Sequence, residues 1–167
     1  MSETLQAALP DQLDQQAERL MRQLCDQSLT IATAESCTGG MLAALLTDIE
    51  GAGHAFERGF VTYTKRSKTE LLGIDGDLLE HNDAVSEPVA RAMAEGALAR
   101  SNADLALGVT GFAGPAGEQC EEGLVHFALA RRGQQTVHRV EHFGSAGRGP
   151  VRVQSLKAML EMLEEAL

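Results

Sequence analysis

Residues 33–40 of this chain, TAESCTGG, bring a hydroxyl and a thiol together at a turn. The apolar stretches on either side, residues 29–34 and 41–46, predict a short buried strand followed by one face of a helix. Ser36 would lie on the connection between them, where the two following glycines let the backbone approach a ligand closely. The unpaired amides at the start of the helix favour an anion or a developing oxyanion. The segment therefore predicts a nucleophilic site.

The same residues permit a purely structural interpretation. Either Ser36 or Thr38 could cap the following helix, and for an isolated segment of this kind a cap is the more common role. Cys37 is a second candidate nucleophile, because a thiol beside an amide-rich turn can be activated. Adjacent side chains point in different directions, so Ser36 and Cys37 should not both face a ligand.

Two further segments follow predicted strands. Tyr63 and Lys68 come at the end of the second strand, and the glycine-rich loop 110–117, TGFAGPAG, follows the third. If these strands run parallel to the first, the three segments meet at one edge of the sheet, where α/β proteins bind ligands. A hydroxyl, an amine, a phenol and amide-rich turns suit acyl transfer.

Lys68 could accept the proton of Ser36 only if its pKa, about 10.4 in water, were lowered. Burial would lower that pKa, and so would a neighbouring positive charge from Lys65 or Arg66. The alternative is an exposed lysine in the first turn of a helix, which is the more common environment for this residue type. No histidine is near these segments in the sequence, so a serine–lysine pair is favoured over a serine–histidine–acid triad.

Length, charge and composition restrict the function further. A chain of 167 residues fits one domain, residues 1–167, and no apolar run reaches the roughly 20 residues that span a bilayer. The 24 acidic residues outnumber the 14 Lys and Arg, which opposes binding to nucleic acid. The polar N-terminus contains no secretory signal, so we expect a cytoplasmic protein with neither a nucleic-acid nor a membrane partner. The three cysteines are widely spaced and predict free thiols.

Hydrophobic periodicity and turn residues predict an α/β domain of three layers, α/β/α, around a mixed, mostly parallel sheet. The late hairpin near Gly133 supplies the antiparallel strand. The predicted helices are residues 5–27, 41–49, 65–72, 75–81, 86–100 and 148–167, and the predicted strands are 29–34, 56–64, 103–109, 124–130 and 136–143.

Four ordered blocks of the sequence resemble the CinA C-terminal domain family. The blocks are residues 33–40 (TAESCTGG), 56–63 together with Lys68, 84–89 (AVSEPV) and 111–115 (GFAGP). Stand-alone members of that family are nicotinamide-nucleotide amidases, so the resemblance implies conversion of nicotinamide mononucleotide to nicotinate mononucleotide and ammonia. It also implies a small-molecule pyridine nucleotide as substrate and a homodimer.

The resemblance assigns roles residue by residue. Ser36 would be the nucleophile, Lys68 its general base and Tyr63 a supporting hydroxyl. It favours Ser36 over Cys37 as the nucleophile and makes the cysteine a small buried residue of the turn. The residues expected to bind substrate are Cys37, Thr38, Gly39, Gly40, Thr110, Gly111, Gly114 and Arg148.

The chain departs from the family pattern in the third loop. The loop is shorter here, and Glu121 and Leu124 stand where the family has proline and threonine. If the loop lined the pocket, Glu118, Glu121 and Glu122 would weaken binding of a phosphorylated substrate. An alternative function is therefore a nucleotide-binding paralogue with little or no turnover.

We expect no organic cofactor and no metal, because amide hydrolysis needs only water, a nucleophile and an oxyanion site. His138 and His142, four residues apart in a predicted strand, could share a face and bind a metal, but no third ligand is nearby.

Overall fold

A buried strand, β1 (Ile31–Glu35), lies inside a five-stranded sheet of order β2-β1-β3-β4-β5 in the computed structural model, which describes residues 9–167. The other strands are β2 (Phe56–Val61), β3 (Leu105–Gly111), β4 (Leu124–Arg131) and β5 (Val137–His142). The α-helices are α1 (Asp11–Asp26), α2 (Met41–Thr47), α3 (Lys65–Leu72), α4 (Gly76–His81), α5 (Glu87–Ala99) and α6 (Arg148–Ala166), and a short 3-10 helix covers Gly53–Ala55.

The first three strands run parallel, as the site prediction required. Strand β1 pairs in parallel with both β2 and β3, whereas β4 is antiparallel to β3 and to β5. Only β4 therefore runs against the other strands. The expected α/β/α domain with a mixed, mostly parallel sheet is confirmed.

Alternating residues of β1 pack into separate cores on the two sides of the sheet. Ile31 packs into the larger core with α1, α2 and α6, whereas Ala32 and Ala34 face the second core with α3, α4 and α5. Residues on both faces are buried, as expected for a strand covered by helices on each side. None of the helices among residues 9–167 combines the length and apolar character needed to cross a membrane.

Close packing of α5 on the sheet brings residues 84–86 to the carboxyl ends of the strands. A Cβ at Gly108 of β3 would lie 2.7 Å from the backbone nitrogen of Ala94, so only glycine allows this approach. Ser86 is the residue before α5 and Pro88 lies in its first turn, where its fixed φ suits a helix start.

Most predicted boundaries agree with the structure to within a few residues. The first helix begins at Asp11 after the extended Pro10 rather than at residue 5, and residues 5–8 lie outside the described part of the chain. Strand β2 ends at Val61 rather than at residue 64, because Thr64 instead caps α3.

Candidate active site

Ser36 and Lys68 are in direct contact at the carboxyl ends of β1 and β2. Nζ of Lys68 donates to Oγ of Ser36 at 2.9 Å, and the two residues are 1% and 7% exposed, respectively. The hydrogen-bond distance predicted between nucleophile and base is therefore present. Ser36 makes this bond instead of capping α2, so the structural interpretation of its hydroxyl is wrong.

Lys68 is held by the start of α3. Thr64 and Ser67 form a reciprocal capping box, which fixes the first turn and directs Lys68 into the protein. The amine also donates to the carbonyls of Thr62 at 3.1 Å and Tyr63 at 3.4 Å. The alternative of an exposed lysine is thereby excluded.

Burial lowers the pKa of Lys68 to about 8. Neither neighbouring cation contributes to this shift: Lys65 pairs instead with Glu80 at 3.2 Å and Arg66 with Glu70 at 2.6 Å. An amine with this pKa is neutral in about a tenth of the molecules at pH 7 and in about half at pH 8, so it can act as a general base.

The turn after Ser36 contains a feature that sequence reasoning missed. Gly39 and Gly40 adopt φ values of 65° and 94°, which are strained for residues with a Cβ. The carboxylate of Glu35 accepts hydrogen bonds from the amides at the start of α2, including that of Gly40 at 3.2 Å. The expectation that these amides stay free for a ligand anion is therefore wrong, because a carboxylate of the protein occupies them.

A cavity of about 250 Å³ opens beside the Ser36–Lys68 pair. It brings together the three predicted segments with residues 84 and 85 before α5, and it contains most of the predicted site residues. Thr38, Gly39 and Gly40 are not among the described residues that line it. Its walls are formed by Ser36, Cys37, Tyr63, Lys68, Ala84, Val85, residues 110–116 and Arg148.

The far wall of the cavity is built on the end of β3 and the start of α6. Thr110 is buried and donates its hydroxyl to the carbonyl of Ala84 at 2.6 Å, which fixes residues 84 and 85 over the cavity. A Cβ at Gly114 would lie 3.1 Å from the guanidinium of Arg148, so the loop and the arginine are close neighbours. Arg152, one turn further along α6, donates from Nε to the carbonyl of Cys37 at 2.8 Å.

Tyr63 and Cys37 differ from what a catalytic role would suggest. Tyr63 contacts Lys68 through its carbonyl, whereas the residue as a whole is 70% exposed at the cavity. Its role as a supporting hydroxyl stays a prediction. Burial raises the pKa of the Cys37 thiol to about 12, so the reactive thiolate is scarce at neutral pH.

The acidic residues of the shortened loop are not part of the lining of the cavity. The lining of the cavity on this side ends at Ala116, and Glu118, Glu121 and Glu122 do not contribute to it. Glu121 instead lies 2.6 Å from Nδ1 of His142. These residues therefore do not line the pocket, and their effect on the binding of a phosphorylated substrate stays a prediction.

The histidines pair differently from the sequence-based suggestion. Nδ1 of His126 lies 3.0 Å from Nε2 of His138, because β4 and β5 place them on the same face of the sheet. His138 and His142 do share a face of β5, but His138 is opposite Ala128 and His142 is opposite Leu124. Within residues 9–167, no group of three or more His, Cys, Asp or Glu side chains is arranged to hold a metal ion.

The fold and site together define an α/β/α protein that carries a buried serine–lysine pair at the ends of parallel strands. Residues 13–167 match the model of the CinA C-terminal domain, and the chain belongs to that family. The family resemblance inferred from the four sequence blocks is confirmed.

Relatives with both short and long chains match this one. The nicotinamide-nucleotide amidohydrolase PncC of Escherichia coli K12 is 42% identical over 154 residues, which cover 91% of this chain and 93% of that protein. A putative competence-damage inducible protein of Symbiobacterium thermophilum is 54% identical over 116 residues. Those residues cover 68% of this chain and 27% of that protein, so the match spans about a quarter of the longer relative.

Solved structures show the same architecture. The competence/damage inducible protein CihA of Agrobacterium tumefaciens has a TM-score of 0.91 and 40% identity, with 94% of this chain and 96% of that chain covered. A CinA superfamily protein of Escherichia coli has a TM-score of 0.88 and 36% identity, with coverages of 95% and 94%.

Proposed function

We propose that this chain is an amidohydrolase that converts nicotinamide mononucleotide and water to nicotinate mononucleotide and ammonia, as a step of pyridine-nucleotide salvage. The observation that carries the proposal is the 2.9 Å hydrogen bond between Ser36 and a buried lysine whose pKa is lowered to about 8. The name of the Escherichia coli relative, similar over nearly its whole length, supplies the substrate.

The first half of the reaction uses Ser36 as nucleophile and Lys68 as base. Neutral Lys68 takes the hydroxyl proton of Ser36 while Oγ forms a bond to the carboxamide carbon. The carbonyl oxygen then carries a negative charge that needs hydrogen-bond donors. The amides of Gly40, Leu42 and Ala43 bind Glu35, so we assign this role to the amide of Cys37, which lines the cavity.

The second half releases ammonia and then the acid. The Lys68 ammonium returns its proton to the leaving nitrogen as the carbon–nitrogen bond breaks, which leaves an ester on Ser36. Water then attacks that ester, again with Lys68 accepting a proton, and Ser36 recovers its hydrogen as nicotinate mononucleotide leaves. Each proton removed is returned within one cycle, so no further reactant is required.

Arg148 is the residue we assign to the phosphate of the substrate. It lines the cavity, is exposed, and forms no ion pair with a carboxylate among residues 9–167. A guanidinium can bind a phosphate through two parallel hydrogen bonds. The cavity volume is just below the roughly 300 Å³ at which ligand pockets usually begin, so we place the phosphate at the mouth, beside the exposed Arg148.

The proposal is tested by measuring ammonia release and binding for nicotinamide mononucleotide, nicotinamide riboside and nicotinamide. We expect turnover of the mononucleotide and a marked loss of kcat/KM when the phosphate is missing. Binding of the mononucleotide without ammonia release would instead identify a nucleotide-binding paralogue.

A further inference from the structure

Glu35, the residue before Ser36, is fully buried, and both oxygens of its carboxylate are engaged. Oε2 accepts from the hydroxyl of Thr38 at 2.6 Å and from the amides of Gly40 at 3.2 Å and Leu42 at 3.1 Å. Oε1 accepts from the amide of Ala43 at 2.8 Å. All of these partners are donors, which is the set that a carboxylate, an acceptor only, can satisfy.

These donors belong to one continuous segment, residues 38–43, which begins two residues after Ser36. A buried carboxylate is costly unless each oxygen is hydrogen-bonded, so any movement of the turn that broke these bonds would leave a buried charge unsatisfied. The amide end of a helix also favours a negative charge. The Glu35 side chain therefore restricts the turn that carries Ser36 to one arrangement.

The backbone of Glu35 is hydrogen-bonded to the segment that holds Lys68. The carbonyl of Glu35 accepts from the amide of Thr62 at 2.8 Å, and the carbonyl of Thr62 accepts from Nζ of Lys68 at 3.1 Å. Residue 35 thus joins the nucleophile turn, through its side chain, to the segment that holds the lysine, through its backbone.

We infer that Glu35 is the positioning residue that sets the separation of Ser36 and Lys68. It acts through the turn and never contacts the substrate. The inference rests on the proposed function for the role of Ser36 as nucleophile, but the geometry it describes can be measured independently of any activity.

The test compares Glu35→Gln with Asp104→Asn. Glutamine keeps the shape of the side chain but turns one acceptor into a donor, which then faces the amide of Ala43 or the donors around Oε2. Asp104 is the matched control, because its carboxylate accepts from the amide and hydroxyl of Thr30 at the opposite end of β1. Each variant loses a carboxylate that accepts hydrogen bonds from backbone amides. Only the carboxylate of Glu35 lies next to the Ser36–Lys68 pair.

Two quantities are measured for the wild type and both variants. The first is the distance between Ser36 Oγ and Lys68 Nζ in crystal structures. The second is the rate constant for covalent labelling of Ser36 by a small fluorophosphonate, measured well below each variant's unfolding temperature. We expect Glu35→Gln to lengthen the distance beyond about 3.5 Å, past hydrogen-bonding range. Labelling should slow by about 10- to 100-fold, since small misplacements of reacting groups have effects of that size. Asp104→Asn should match the wild type in both.

The inference would be overturned if Glu35→Gln kept the wild-type distance between Ser36 and Lys68 and the wild-type labelling rate. It would also be overturned if Glu35→Gln and Asp104→Asn lost labelling rate equally. If the wild type resists the probe and releases no ammonia, the proposed function fails, and the distance alone decides whether Glu35 positions the pair. Should Glu35→Gln not fold, Thr38→Val takes its place, because it removes the shortest of the four bonds and leaves the carboxylate intact. Slower labelling in the folded Thr38→Val variant then supports the inference, and an unchanged rate overturns it.

Discussion

Changing the pH alters the charge of Lys68 without altering the chain. Its pKa of about 8 results from burial beside Ser36, and only the neutral amine can accept the serine proton. With that pKa, the neutral fraction is about 9% at pH 7 and about 91% at pH 9. We therefore expect kcat/KM to rise about tenfold between these pH values and to level off above pH 9.

The assay is ammonia release from nicotinamide mononucleotide at low substrate concentration between pH 6 and 9.5. The second ionisation of the substrate's phosphate is centred near pH 6, so it cannot account for a rise centred on pH 8. Lys65→Met is the control, since Lys65 lies on the same helix but its amine pairs with Glu80 on the surface. That variant should keep the wild-type profile, whereas Lys68→Met should lose nearly all activity at every pH.

A rate that is constant between pH 6.5 and 9 would refute the assignment of Lys68 as base. A rise centred near 10.4, the pKa of a lysine in water, would refute the claim that burial prepares the amine for this role.

Three further predictions concern individual side chains. Folded Lys68 releases its proton near pH 8, whereas the unfolded chain holds it to about 10.5. The free energy of unfolding of the wild type should therefore rise by about 3 kcal/mol relative to Lys68→Met between pH 7 and 11, as urea denaturation would show. Arg148→Ala should raise KM for the mononucleotide about 10- to 100-fold and leave nicotinamide riboside nearly unaffected. Equal effects on both substrates would remove Arg148 from the phosphate site. Cys37→Ala should keep activity and lower stability by about 1 kcal/mol, and a loss of turnover without unfolding would point to a thiol mechanism.

The elements that position the site could be predicted from the sequence because their signals are local. Thr64 and Ser67 cap α3, and its bounds match the predicted residues 65–72. The alternation of apolar residues and the glycine breaks gave each strand of the sheet to within a few residues. The meeting of Ser36 with Lys68 followed from placing both at the ends of parallel strands.

Features that depend on contacts between distant segments could not be predicted in this way. Burial of Lys68 brings its amine to Ser36, 32 residues earlier in the chain, and no local pattern specifies that contact. Glu35 was missed because most of its partners are backbone amides, which every residue except proline carries. His126 and His138 meet only because of the register between β4 and β5.

The central claim, that Ser36 is the nucleophile of an amide hydrolysis, is tested most directly with Ser36→Ala. The measurement is nicotinate mononucleotide and ammonia formation from nicotinamide mononucleotide by the wild type and the variant, with binding of the substrate followed in parallel. We expect the variant to lose at least about a thousandfold in kcat and to bind the substrate with nearly unchanged affinity, because the deleted oxygen acts in the transition state. Turnover by Ser36→Ala close to that of the wild type would contradict the account.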